Sequence, residues 1–208
     1  MDDRQGVRDT YEHIAEHFAT TREYPWPEVE SFCADRTVET ALDLGCGNGR
    51  HVELLAGHAD HVLGLDISRE LLTIAADRVP AADLIEGDAS RLPLADDSID
   101  LAVYVATLHH LPSRALRRAS LDELARVLDG SALVSAWSTA HDRFEADTDA
   151  EDGFDTEIDW TLPGGETVPR FYHIYAPAEF DADLEASALS VERSWISSGN
   201  CYAVVEAE

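Results

Sequence analysis

Residues 42–49 read Leu42-Asp43-Leu44-Gly45-Cys46-Gly47-Asn48-Gly49, and the architecture of the chain follows from this segment. The apolar run from Thr40 to Leu44 predicts a buried strand, and the glycines predict a tight bend where that strand ends. A glycine-rich bend at the carboxyl end of a parallel strand lets the backbone approach a bound ligand closely. The segment therefore predicts a ligand-binding α/β domain.

The spacing of the glycines narrows the choice of ligand. A dinucleotide-binding loop carries its third glycine three residues after the second, and here that position is Arg50. Asp43 would repel a pyrophosphate, but it suits the ammonium group of a methionine moiety. The loop therefore favours S-adenosylmethionine over a nicotinamide dinucleotide.

Two further acids follow later predicted strands. Asp66 comes about 20 residues past the loop, where a carboxylate can accept hydrogen bonds from both ribose hydroxyls. Asp88 follows the third strand and can accept from an adenine amino group. Each could instead cap a helix or a turn. The predicted cofactor-binding residues are Asp43, Gly45, Gly47, Asn48, Asp66, Ile67, Asp88 and Ala89.

Strand-like and helix-like segments alternate along the chain, which predicts a doubly wound α/β fold. We expect a seven-stranded, mostly parallel sheet that ends in a C-terminal antiparallel hairpin. Residues 1–208 are expected to form one domain, with a helical lid over 1–36 and an acidic loop insertion over 141–169. The predicted strands are Thr40–Leu44, His61–Leu65, Asp83–Glu86, Asp100–Val105, Ala132–Trp137, Val191–Ser197 and Cys201–Glu206.

The charge balance is unusual. Forty-two acidic residues oppose 15 basic ones, all of them arginine, and the formal net charge is −27. In molar salt the Debye length falls to about 3 Å, so repulsion between these carboxylates would be screened. The composition therefore indicates a halophilic surface. Long-range attraction to nucleic acid is excluded, and an RNA substrate would need short-range arginine contacts, stacking and shape.

Three cysteines, Cys33, Cys46 and Cys201, match neither a disulfide framework nor a zinc knuckle. We expect free thiols, no metal site and a cytoplasmic protein. The sequence shows no apolar run of membrane-spanning length and no signal-peptide pattern, so neither is expected.

The glycine segment resembles the first motif of class I S-adenosylmethionine-dependent methyltransferases. Three further segments resemble one branch, the tRNA wobble-uridine carboxymethyl methyltransferases. These are Tyr11–Phe18 with Thr21-Arg22 and Pro25-Trp26-Pro27, His109-His110-Leu111 with Arg117-Arg118, and Arg170-Phe171-Tyr172-His173-Ile174-Tyr175; Asp159-Trp160 with Leu162-Pro163 matches more weakly. The resemblance covers nearly the whole chain and departs in the acidic insertion and in the absence of lysine.

The resemblance implies methyl transfer to the carboxylate of 5-carboxymethyluridine at the tRNA wobble position, which gives a methyl ester. It also implies a heterodimer with a small zinc-binding methyltransferase activator protein. A partner of this kind is expected to add a strand at the sheet edge near Asp83–Glu86.

Four residues are candidates for the acceptor site. Arginine can clamp a carboxylate with two hydrogen bonds, so Arg22 and Arg170 are candidate clamps. His110 follows the fourth strand, where substrate contacts are expected, and Tyr172 could stack on the uracil ring. A surface ion pair for Arg22, a packed imidazole in the histidine pair and a core position for Tyr172 are the alternatives.

Other features stay open. Arg114, Arg117 and Arg118 could meet tRNA phosphates or pair with neighbouring carboxylates. Trp26, Trp137 and Trp160 could be core residues or stacking platforms. A small-molecule methyltransferase acting on a quinone or another metabolite, and a binding module without turnover, are the alternative functions.

Overall fold

Seven strands form the main sheet of the computed structural model, which describes residues 3–144 and 151–207. They are β1 (Val38–Leu44), β2 (Ala59–Asp66), β3 (Asp83–Glu86), β4 (Ile99–Val105), β5 (Leu128–Trp137), β8 (Leu189–Ser197) and β9 (Asn200–Ala207). Their order is β3-β2-β1-β4-β5-β9-β8; β1 to β5 are parallel, and β9 is antiparallel to both of its neighbours. The predicted sheet and its closing hairpin are confirmed.

In the described ranges six α-helices accompany the sheet: α1 (Asp3–Thr20), α2 (Pro27–Cys33), α3 (Arg50–Leu55), α4 (Arg69–Arg78), α5 (Arg114–Val127) and α6 (Pro177–Glu185); a short 3-10 helix spans Leu108–His110. Two separate apolar clusters show that both faces of the sheet are covered. Buried residues of α2, α3 and α4 pack with Leu101 and Val103, whereas those of α5 and α6 pack with Ala102 and Tyr104. Alternate residues of β4 thus point to opposite faces, as expected for a central parallel strand.

The described part of residues 141–169 is not only a loop, and this prediction was wrong. Strand β6 (Phe154–Thr161) pairs with β7 (Thr167–Ile174) as a separate two-stranded sheet. Ile158 and Trp160 point inward, while the intervening acids face solvent. These acids hid a one-faced strand among turn formers. Residues 145–150 lie outside the described part of the chain.

The excursion that carries this hairpin begins and ends at one place. The backbone N–H of Tyr175 donates to the carbonyl of Trp137 at 2.9 Å, and that of Thr139 donates to the carbonyl of Tyr175 at 2.9 Å. The hairpin thereby stands beside the carboxyl ends of β4 and β5. No helix in the described ranges is long and apolar enough to cross a membrane.

Candidate active site

The glycine loop is a tight turn at the end of β1. Gly45, Gly47 and Gly49 have φ of 82°, 52° and 77°, in the left-handed region that favours glycine. The N–H of Gly45 donates to the carbonyl of Leu65 at 2.7 Å, and a Cβ on Gly45 would lie 2.1 Å from Thr107 Oγ1. The loop is therefore closely packed against the ends of β2 and β4. Side chains at its glycine positions would clash or would require an unfavourable backbone conformation.

Asp66 fixes the shape of this loop. Its Oδ2 accepts the N–H of Gly47 and its Oδ1 accepts the N–H of Ser68, both at 2.8 Å. Burial raises the pKa of Asp66, while these backbone donors act to lower it. A carboxylate has about four acceptor positions, so capacity remains toward the cavity that Asp66 and Ile67 line. The capping alternative is thus realised without excluding the predicted ribose contact.

Asp88 occupies the corresponding place after β3. Its Oδ1 accepts from the N–H of Ser90 at 2.8 Å and from Ser90 Oγ at 2.7 Å. Gly87, Asp88 and Ala89 line the same cavity as Asp66. The two acids predicted to bind the nucleoside therefore share one surface.

Asn48 holds the N-terminal segment over the loop. Its Nδ2 donates to the carbonyl of Arg22 at 2.8 Å and to that of Ala19 at 3.3 Å. Arg78 also donates to the carbonyl of Arg22, at 3.3 Å. Both amide hydrogens of Asn48 are thus directed to the lid, and only its Oδ1 is available to a ligand.

Asp43 does not reach the cavity surface directly. Its side chain is buried, and Oδ2 has no hydrogen-bond partner among the described residues. Burial raises the pKa of Asp43 to about 8, although the nearby charge of Arg50 opposes that rise. Direct contact with a methionine ammonium group is therefore not what this arrangement shows, and that role stays a prediction.

The cavity above the loop has a volume of about 550 Å³, within the usual range for small-molecule sites. Gly45 and Gly47 form its floor, and Asp66 and Asp88 form one wall. A glycine floor, carboxylate acceptors for hydroxyl and amino groups, and this volume fit S-adenosylmethionine.

The far end of the cavity is built by the β6–β7 hairpin. The guanidinium of Arg170 lies 4.7 Å from the ring of Trp160 and 5.1 Å from that of Tyr172. Arg170 is buried, and its Nε has no hydrogen-bond partner among the described residues. Because a buried guanidinium is costly without an acceptor, this end of the cavity suits an anion.

Tyr11 of α1 completes this end of the cavity. Burial raises the pKa of Tyr11 and of Tyr172, and the charge of Arg170 offsets only part of that rise. Both phenols therefore keep their protons at neutral pH. Both are therefore neutral hydroxyl groups beside Arg170.

His110 is engaged at both ring nitrogens. Its Nδ1 lies 3.0 Å from the carbonyl of Phe171 and therefore carries the proton, while Nε2 accepts from the Tyr11 hydroxyl at 2.8 Å. Burial lowers the pKa of His110 to about 3. A neutral ring with these two bonds joins α1 to β7 and positions Tyr11; it is not a free proton acceptor.

Four arginines line the cavity: Arg22, Arg50, Arg143 and Arg170. None of them forms an ion pair with a carboxylate in the described ranges. Arg22 lies over the rings of Phe18 and Trp160, at 5.1 and 5.7 Å. In a chain with 42 acids, this concentration of unpaired cations is a local reversal of charge.

The other basic cluster is used internally. Nε of Arg114 and Nε of Arg118 each lie 2.8 Å from Asp183 Oδ1, and the buried Arg117 lies 3.5 Å from Glu179. Pairing with carboxylates, one of the two predicted alternatives, is therefore what the structure shows.

Several cavity residues were not predicted as site residues. Tyr11 has the signal of the core face of an amphipathic helix, and Thr107 is an unremarkable residue after β4. Arg143 lies in the segment expected to be a loop. Trp137 and Trp160 both line the cavity, so the core and stacking alternatives overlap at these positions.

Comparison with known proteins agrees with this geometry. A family model described as a methyltransferase domain matches residues 42–134. A tRNA (carboxymethyluridine(34)-5-O)-methyltransferase of Arabidopsis thaliana is 33% identical over 65% of this chain, which covers 33% of that protein. The protein of the same name from Saccharomyces cerevisiae is 29% identical over 81% of this chain, which covers 61% of it. The chain thus spans between one third and two thirds of the length of these relatives.

Among solved structures, a methyltransferase in complex with the Haloferax volcanii Trm112 methyltransferase activator has the same fold. The TM-score is 0.70 with 16% identity, and the alignment covers 97% of both chains. The sheet order, the glycine loop and the methyltransferase domain matched over residues 42–134 are those of class I S-adenosylmethionine-dependent methyltransferases. The sequence relatives at 29–33% identity carry the name of the tRNA carboxymethyluridine enzymes.

Proposed function

We propose that this chain transfers a methyl group to the carboxylate of 5-carboxymethyluridine at the tRNA wobble position, giving the methyl ester. The observation that carries the proposal is the buried guanidinium of Arg170, which lies between two aromatic rings and whose Nε has no hydrogen-bond partner among the described residues. A neutral quinone would leave this cation without a counter-charge. The names of the sequence relatives supply the nucleoside.

The residues suit a carboxylate that reacts without a general base. A carboxyl group is ionised at neutral pH, so no proton has to be removed. When bound, S-adenosylmethionine supplies an electrophilic methyl group on a sulfonium. Arg170 would hold the acceptor carboxylate, and the hydroxyl of Tyr172 would orient it. His110, neutral and bonded at both nitrogens, keeps Tyr11 in place.

The decisive test uses a short anticodon stem-loop RNA that carries 5-carboxymethyluridine. Methyl transfer is followed by mass analysis of the nucleosides, with an RNA bearing plain uridine as the control substrate. Conversion of the acid to its methyl ester in the first RNA alone is expected. Transfer to neither RNA, with the protein folded and the donor bound, would contradict the proposed acceptor.

Arg170→Gln removes the proposed clamp. A charge-assisted hydrogen bond contributes about 2 kcal/mol, so kcat/KM should fall about thirty-fold. Arg91→Gln is the matched control, because Arg91 is exposed and outside the cavity. It makes the same change in charge and should leave kcat/KM within twofold of the parent.

We also propose that the chain works in a halophilic cytoplasm as a heterodimer with a small zinc-binding activator. The charge of −27 and the fold shared with the Haloferax volcanii protein support this. Strand β3 is an edge strand, and an edge can accept a partner strand. Co-expression with such an activator from the same host should raise soluble yield and activity. Full activity of the lone chain in molar salt would contradict the dimer.

A further inference from the structure

The β6–β7 hairpin that carries the acceptor residues lies outside the main sheet, so beyond the backbone bonds at Tyr175 its position depends on side-chain contacts. One face of β7 presents Arg170 and Tyr172 to the cavity. The next residue, His173, points the other way and is buried. The contacts of His173 connect this part of β7 to helix α6.

His173 lies between two carboxylates. Its Nε2 is 2.9 Å from Glu179 Oε2, and its Nδ1 is 2.7 Å from Asp155 Oδ1. Because a carboxylate only accepts, Nε2 donates to Glu179. The two partners differ in environment, because the Glu179 side chain is buried and that of Asp155 is 58% exposed.

Glu179 of α6 joins three parts of the chain. Besides His173, it accepts the N–H of Gly153, just before β6, at 2.7 Å. Its Oε1 lies 3.5 Å from Arg117 Nη2 of α5. A Cβ on Gly153 would lie 2.9 Å from the same carboxylate, so only glycine fits this approach. The start of β6 and the end of β7 are therefore held by one buried side chain.

We propose that His173 is a positioning residue: its bond to Glu179 fixes β7 so that Arg170 and Tyr172 face the acceptor. This rests on the proposed function, because the carboxylate of the acceptor is what Arg170 is positioned to hold. The exposed bond to Asp155 contributes little, since an exposed ion pair is screened and weak.

Two substitutions separate the two bonds. In His173→Gln the amide nitrogen reaches the position of Nε2 and keeps the bond to Glu179. In His173→Asn the amide nitrogen stays near the position of Nδ1 and keeps only the bond to Asp155. Both replace the imidazole ring with a neutral amide. We expect KM for the carboxymethyluridine RNA to rise about tenfold or more in His173→Asn, because small displacements in an active site are costly.

His173→Gln should keep KM within about threefold of the parent, and S-adenosylhomocysteine should bind all three proteins equally. A merely structural role would lower melting temperature, donor binding and RNA affinity together in both variants. That result, or a larger defect in the Gln variant, would overturn the proposal. If His173→Asn does not fold, Glu179→Leu removes the acceptor of the same bond and should also raise KM.

A readout without RNA separates this inference from the proposed function. The Nε–H of Arg170 can be followed by ¹⁵N NMR and assigned with Arg170→Lys. Its shift depends on the rings of Trp160 and Tyr172, which flank the guanidinium. The signal should move in His173→Asn and stay in His173→Gln. If the signal behaves in this way but the parent does not methylate the RNA, the positioning role stands and the proposed acceptor is wrong. If the signal moves in neither variant, the positioning role is wrong.

Discussion

Asp43→Asn should change the way in which stability depends on pH. The unfolded carboxyl titrates near pH 3.9, whereas burial raises the pKa of Asp43 to about 8 in the folded chain. Between these values the unfolded state is ionised and the folded state holds a proton, so stability falls as pH rises. Each pH unit costs about 1.4 kcal/mol, which gives about 4 kcal/mol at pH 7 and a plateau of about 5–6 kcal/mol above pH 8.

Asparagine cannot ionise, so Asp43→Asn removes this loss. Its NH2 group would be buried without an acceptor and would cost about 1–3 kcal/mol at every pH. The variant should therefore be about as stable as the parent near pH 5 and about 2–5 kcal/mol more stable near pH 8.5.

Urea unfolding in molar potassium chloride, at several pH values between about 5 and 9, measures this difference. Asp60→Asn is the control, because Asp60 is exposed on the neighbouring strand β2. It should lose stability with pH in parallel with the parent. If Asp43→Asn also runs parallel to the parent, the carboxyl group is ionised in the folded protein and the reasoning from its burial is wrong.

Three further outcomes are expected. Gly45→Ala would bring a Cβ to 2.1 Å from a threonine oxygen in a left-handed backbone, so donor binding measured by calorimetry should be lost, whereas Gly57→Ala, which meets only ordinary contacts, should retain it. Burial raises the pKa of the Cys33 and Cys201 thiols to about 11, so a thiol-specific reagent at pH 8 should react with them only after unfolding, and fast labelling of the native chain would contradict this. Burial acts to raise the pKa of Glu179, but hydrogen bonds from His173 and Gly153 bring it to about 2. The pKa of the unfolded carboxyl is near 4.3, so about 3 kcal/mol of stability that is present above pH 4.3 should be lost as the pH falls through 2. Glu179→Gln should flatten that part of the acid-unfolding curve.

The donor half of the site could be predicted because its signals are local. The glycine loop, Asp66 and Asp88 each follow a strand, and parallel strands bring their carboxyl ends to one edge. Their hydrogen bonds were less predictable, since Asp66 turns its oxygens to the loop itself. The side chain of Asp43 is buried behind the surface of the cavity, and a strand pattern does not show how far a residue lies from that surface.

The acceptor half depends on contacts between distant segments. The acids of β6 hid its alternation, so the hairpin was expected to be a loop. His110 lines the cavity, and its expected contact with the substrate stays a prediction; its bonds to Tyr11 and Phe171, which join α1 to β7, were not predicted. No local pattern contains such a pairing, because its members are 99 and 61 residues apart.

The closed excursion between Trp137 and Tyr175 has an evolutionary consequence. Its two ends are hydrogen-bonded to each other, so a segment of different length could replace it without moving β5 or α6. The donor loop lies on other strands and would be untouched. A fold arranged in this way can change its acceptor substrate by replacing the segment between Trp137 and Tyr175, while the donor site is inherited unchanged.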